Sequence, residues 1–154
     1  MNRSALACAA IAAVIIVTAC SGPEAVPEAP IETVSNHATV GIVWESDMPA
    51  ALKRARNEGK PVLVNFYADW CVWCKRLDST TLRDAKVASV LQSEVVPLSL
   101  DVDHEGKELS NEYGVDGLPM IIVLDSAGKE IGRIPGYMPP DSFLERVEGF
   151  LQHG

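Results

Sequence analysis

Apolar residues are unevenly spread along this chain, and their spacing changes period several times. Residues 5–19 form an almost unbroken apolar run, whereas residues 21–41 hold few large apolar side chains and are dotted with Pro23, Pro27, Pro30, Glu24, Glu28 and Glu32. Beyond them, helical and strand periods alternate. Ser46 or Asp47 can cap a helix that carries Ala50, Ala51, Leu52 and Ala55 and stops at Gly59, with Pro49 tolerated in its first turn. Residues 61–67 are an apolar, β-branched run of the kind a buried strand needs. A helical stretch toward Leu77 follows, then another with Val87, Val90 and Leu91, a strand over 95–100, and a helix marked by Leu109 and Tyr113 and ended by Gly114. Residues 120–124 and 130–134 read as strands joined by a hairpin at Asp125-Ser126-Ala127-Gly128. Pro140 and Asp141 open a last amphipathic helix with Phe143, Leu144, Val147 and Phe150. Strands alternating with helices in this way predict an α/β domain, a mixed central sheet flanked by helices on both faces. There is no internal repeat.

The first residues belong to something else. Arg3, the apolar middle and the small residues before Cys20 make up an export signal, and the apolar run is short for a comfortable membrane span. Val17-Thr18-Ala19-Cys20 resembles the lipobox of bacterial lipoproteins. That resemblance implies a signal peptide over residues 1–19 and a lipid on Cys20; an uncleaved anchor or a plain secretory signal are the alternatives. Residues 20–41 then form the lipidated N-terminus and a flexible tether, too poor in apolar surface to fold. At roughly 20 residues the tether reaches from about 25 Å as a coil to about 60 Å as extended polyproline. The folded domain is expected over 42–154, held at a membrane of a bacterial envelope and facing the periplasm or exterior.

Charge narrows the partners. Thirteen basic against 21 acidic residues leave a formal charge of −8, which argues against nucleic acid, since phosphate binding needs clustered cations. The one compact basic group, Lys53, Arg54 and Arg56, reads as a solvated helix face. About 110 residues can bury a core without a framework of structural disulfides, so the cysteines need another explanation. Cys8 would leave with the signal peptide and Cys20 would carry lipid, which leaves Cys71 and Cys74 as free thiols.

These two lie in Trp70-Cys71-Val72-Trp73-Cys74-Lys75, at a predicted strand-to-helix junction. Two intervening residues at a helix start bring both sulfurs within bonding reach. The first cysteine faces unpaired backbone N–H groups and the positive end of the helix, which favour its thiolate. Such a thiolate attacks another disulfide, and the second cysteine displaces the product. Zinc would require four ligands, and His104 and His153 stand alone; no metal and no cofactor are expected. Asp101, Asp103, Glu105, Gly106 and Glu112 match a calcium-loop template, but a strand rather than a helix leads into them, and a strand end followed by a helix cap is preferred.

The segment 67–75, followed by Gly117-Leu118-Pro119 and Gly136-Tyr137, resembles the C-terminal thioredoxin-like domain of the DsbD family, over about residues 42 to 152. The predicted element order is that of a thioredoxin fold with one extra N-terminal element. The resemblance implies that Cys71 is the nucleophile and Cys74 resolves. It implies a cis Pro119 beside the disulfide, with the Leu118 backbone free to pair with an extended substrate. Trp70 is expected to pack beneath the site, Trp73 to be exposed for docking, and Phe66 and Tyr67 to be core. Two departures stand out. Asn65 replaces a buried aspartate credited with proton transfer at the resolving cysteine, and Val72-Trp73 differs from the usual pair between the cysteines. Asp78, one helical turn beyond Cys74, matches an acidic position of the family and is the candidate to replace the missing acid. The expected activity is disulfide reduction or electron relay, acting on protein thiols and disulfides as a monomer, with a transmembrane donor of the DsbD or CcdA kind. A disulfide oxidase or isomerase and a non-catalytic binding lipoprotein are the rival readings.

Overall fold

The computed structural model describes residues 41–153; the signal peptide expected over 1–19 and the lipidated Cys20 and tether expected over 20–41 lie, Gly41 apart, outside the described residues. The elements run α1 (Met48–Glu58), β1 (Val62–Tyr67), α2 (Val72–Ser79), α3 (Ala85–Glu94), β2 (Val96–Asp101), α4 (Lys107–Glu112), β3 (Met120–Leu124), β4 (Glu130–Pro135) and α5 (Pro140–His153). Of the two cap candidates for α1 it is Asp47 that serves, its carboxylate accepting the Ala50 N–H at 2.8 Å. Gly59, at φ 65°, ends that helix in the left-handed conformation. Arg54 on its outer face pairs with Glu45 and Glu58, in keeping with a solvated basic face.

Four strands form one sheet in the order β2-β1-β3-β4, with β1 and β2 parallel and the other pairs antiparallel. Strand alternation divides the core in two. Val62, Val64, Phe66, Leu98, Leu100, Ile122 and Leu124 pack against Met48, Ala51 and Ala55 of α1 and against Leu109 and Tyr113. Leu63, Ile121, Val123 and Ile134 pack on the opposite side against Leu77 of α2, Val87 and Leu91 of α3, and Phe143 and Val147 of α5. Helices therefore cover both faces, and the strands are apolar on both, as a sheet buried on two sides requires. The parallel β1–β2 pair needs a long crossover, and α2 and α3 are that crossover.

Two polar residues interrupt the apolar strands. Asn65 and Ser99 are register partners on β1 and β2, and both fall on the face covered by α2. At the outer side of β2, Glu45 makes a parallel bridge to Leu98. Its N–H donates to the Pro97 carbonyl and its carbonyl accepts the Ser99 N–H, both at 2.9 Å. Pro97 has no N–H to leave unpaired on that side, which is where a strand tolerates proline.

Candidate active site

β1 ends at Tyr67 in the middle of the sheet, and the chain turns through Ala68–Trp70 into α2. Cys71 is the residue before the first helical turn, with extended backbone at φ −78° and ψ 106°. Its Sγ accepts the Cys74 backbone N–H at 3.0 Å. The turn is closed by the Cys71 N–H donating to the Ala68 carbonyl and the Lys75 N–H to the Cys71 carbonyl. Cys71 and Cys74 form a disulfide, their Cα atoms 5.2 Å apart. Both are buried against Ala68, Tyr67, Val102 and Leu118. When the disulfide opens, the N–H aimed at the Cys71 sulfur and the positive end of α2 stabilise a thiolate there.

Behind Cys74 lies a cavity of about 310 Å³ lined by Trp44, Asn65, Tyr67, Asp69, Cys74, Lys75, Asp78 and Ser99. The residue at the missing-acid position and the carboxylate expected to stand in for it thus meet the resolving cysteine in one space. Asn65 is 8 % exposed. Its amide nitrogen donates to Ser99 Oγ at 3.4 Å, while its buried Oδ1 has no hydrogen-bond partner among the described residues. Tyr67, expected in the core, is only half-buried and walls this cavity, whereas Phe66 is fully buried. Burial, and after it the Asp101, Glu105 and Asp69 carboxylates, pushes the Tyr67 phenol above its ordinary pKa.

The rim of the disulfide departs from expectation at Trp70. Instead of packing beneath the site its side chain is 67 % exposed, because the indole N–H donates to Asp103 Oδ2 at 2.7 Å, holding the ring over the surface of the 101–106 loop. The groups that underlie the cysteines are Tyr67, Val102 and Leu118. Trp73 is exposed as expected, at 53 %. It lies against Tyr137, ring centroids 6.0 Å apart, with the Arg76 guanidinium over both rings. The Leu118–Pro119 peptide bond is cis. Pro119 is buried and its carbonyl accepts the Gly136 N–H at 2.8 Å. Arg76 was not singled out in the sequence, and Tyr137 only as part of the Gly136-Tyr137 motif with no site role; the three-residue helical step from Trp73 to Arg76 was the available signal for Arg76.

The acidic loop after β2 closes on itself. Asp101 accepts the Asp103 N–H at 2.9 Å and faces His104 Nδ1 at 3.0 Å, while Glu105 accepts the Asp101 N–H at 3.0 Å. The Asp103 N–H, with His104 adding to it, holds the Asp101 carboxyl below its usual range, and Asp101 in turn raises the His104 imidazole. These carboxylates shape the turn rather than cap α4, whose first residue is preceded by Gly106 with no side-chain cap. No group of His, Cys, Asp and Glu among the described residues is arranged to hold a metal.

A cis-proline loop, a Cys-x-x-Cys disulfide at a helix start and a β2-β1-β3-β4 sheet with helices on both faces define a thiol-disulfide oxidoreductase of thioredoxin type. The chain belongs to the thioredoxin-like family: the family model described as a thioredoxin-like domain matches residues 48–150. Among curated proteins it is similar to the thiol:disulfide interchange protein DsbD of Yersinia enterocolitica, 39 % identical over 111 residues, which is 67 % of this chain and 19 % of that protein. DsbD of Ralstonia nicotianae is 35 % identical over 120 residues, 72 % of this chain and 20 % of its own length. The chain thus spans about a fifth of the curated relatives it matches. Among solved structures, the oxidised C-terminal domain of Neisseria meningitidis DsbD is 30 % identical with a TM-score of 0.60, covering 70 % of this chain and 98 % of that one. A thioredoxin from Thermus thermophilus is 32 % identical with a TM-score of 0.64, covering 71 % and 86 %.

Proposed function

We propose that this chain reduces protein disulfides, or relays electrons toward them, at the outer side of a bacterial membrane to which a lipid on Cys20 tethers it. The observation that carries the chemistry is Cys71 at the start of α2 with its sulfur accepting the Cys74 N–H. In the reducing direction the Cys71 thiolate attacks one sulfur of the substrate disulfide, that S–S bond breaks, and the departing thiolate takes a proton. An extended substrate segment lies along the Leu118 backbone beside Pro119, between Trp70 and Trp73. The Cys74 thiolate then attacks the Cys71 sulfur, releasing the second substrate thiol and leaving the protein disulfide. Two electrons and two protons have passed to the substrate, and a dithiol donor restores them, a transmembrane protein of the DsbD or CcdA kind. Asp78 accepts the Cys74 proton, directly or through solvent in the cavity they share. The absence of a histidine between the cysteines removes one means of over-stabilising the thiolate, which favours reduction over oxidation. A chain with a formal charge of −8 is also a poor binder of nucleic acid.

The test is a Cys74→Ser variant expressed in cells, expected to accumulate mixed disulfides through Cys71 that Cys71→Ser does not form, together with reduction of a model protein disulfide by the reduced wild type. A reduction potential at the oxidising end of the thioredoxin-fold range would instead favour the oxidase or isomerase reading. Cys20→Ser tests the anchor: it should lose the lipid and its membrane fractionation while the domain keeps its reductase activity. Lipid retained by that variant would remove the lipoprotein assignment.

A further inference from the structure

Arg76 carries a charge for which neither the fold nor the disulfide exchange accounts. Its guanidinium carbon lies 5.5 Å from the Trp73 ring centroid and 5.0 Å from that of Tyr137, and the two rings are tilted by 36° to each other. Among the described residues it joins no ion pair, in contrast to Arg54 and Arg133, which hold Glu45, Glu58 and Glu130. The three side chains converge from separate places. Trp73 stands between the cysteines and Arg76 one turn further along α2. Tyr137 follows Gly136, whose N–H is bonded to the Pro119 carbonyl. The cluster therefore borders the disulfide and the cis-proline loop together.

A guanidinium held over aromatic rings in this way still has N–H donors to offer a planar anion, and has already given up part of its rotamer freedom. A carboxylate binding there gains a charge-assisted, two-pronged contact at a reduced entropic cost. The Thr80 hydroxyl donates to the Arg76 backbone carbonyl at 2.7 Å, at the end of the helix that carries Trp73 and Arg76. Charge is unevenly placed along the rim. The Trp70 end is fastened to an acidic loop carrying Asp101, Asp103 and Glu105, whereas the Trp73 end presents Arg76 in a protein that is otherwise strongly anionic.

We infer that Arg76, clamped by Trp73 and Tyr137, binds an acidic side chain flanking the reactive cysteine of the substrate polypeptide, selecting such substrates and fixing the direction in which they lie across the disulfide. This rests on the thiol-disulfide reading above.

The experiment uses the reduced full-length chain and disulfide-linked dimers of capped pentapeptides with a central cysteine, carrying Glu, Gln or Lys at each other position in turn. The second-order rate constant of reduction is measured for each, and the Glu-to-Gln ratio is formed within each protein variant. A general loss of activity, and any effect of the charge on the peptide's own disulfide, then cancel between variants. At one or two positions the wild-type ratio should exceed that of Arg76→Gln by roughly fivefold at low ionic strength, the upper end for an exposed pair. The excess should shrink at high salt, with the order Glu, Gln, Lys. Arg76→Lys, which keeps charge without the fork, should fall between. Equal ratios in wild type and Arg76→Gln at every position would overturn the inference. A wild type that reduces none of the peptides would overturn the oxidoreductase reading itself, an outcome distinct from reducing Glu and Gln peptides alike.

Discussion

Asn65 and Ser99 face each other across β1 and β2 in strands that are otherwise apolar. A buried amide oxygen without a donor is costly unless something polar approaches it, and Asn65 lines the cavity behind Cys74. A resolving thiol in such a site reacts as its thiolate, and burial disfavours that charged form unless a base or solvent takes its proton. Asp78→Asn should therefore slow the resolving step by something like 10²-fold, the lower range for a positioned base, while attack by Cys71 changes little. Asn65→Asp should recover part of that loss. Single-turnover kinetics against pH on the four variants separate the steps, and an unchanged resolving rate in Asp78→Asn would reduce that carboxylate to a solvated helix residue. The departure at Asn65 was legible through the family resemblance alone, from its place six residues before Cys71. The pose of Trp70 was not. It is set by one hydrogen bond to Asp103, thirty-three residues away in sequence, and no local pattern reports such a contact.

At the scale of elements, the changes of period along the chain were enough to place all nine helices and strands of the described residues, since each carries its apolar positions on a face that the sheet or a helix must bury. Loops were less legible. The 101–106 segment imitates a calcium-binding loop because a tight turn and a cation site both gather carboxylates and a glycine. Gly106 is explained by crowding: a Cβ there would lie 2.8 Å from the Asp101 carbonyl oxygen and 2.9 Å from the Leu100 Cβ. Backbone atoms cannot move aside as a side-chain tip can, so Gly106→Ala should destabilise the domain by about 1–3 kcal/mol, the usual range for overpacking. Urea unfolding followed by circular dichroism checks this. A variant as stable as wild type would mean that the loop relocates freely and does not fix Trp70 through Asp103.

For the molecule as a whole, an anionic chain carries a cation set over two aromatic rings beside a reactive disulfide, and no helix among the described residues is long and apolar enough to cross a membrane. The family match begins at residue 48, yet the domain's physical start is earlier. Ile42 and Trp44 pack onto the second core cluster, Trp44 also walls the Cys74 cavity, and Glu45 occupies the outer side of β2. A chain trimmed to residue 48 would retain every helix and strand but bare the Ser99 N–H and the Pro97 carbonyl. Unpaired strand groups of this kind recruit strands from other copies. Sedimentation velocity should therefore find concentration-dependent self-association in the chain trimmed to 48 and none in one trimmed to 41, and a monodisperse 48–154 would show that Pro97 alone suffices to guard that flank. The short stretch ahead of the first helix thus acts as a guard on the sheet, keeping one copy from zipping to another strand to strand.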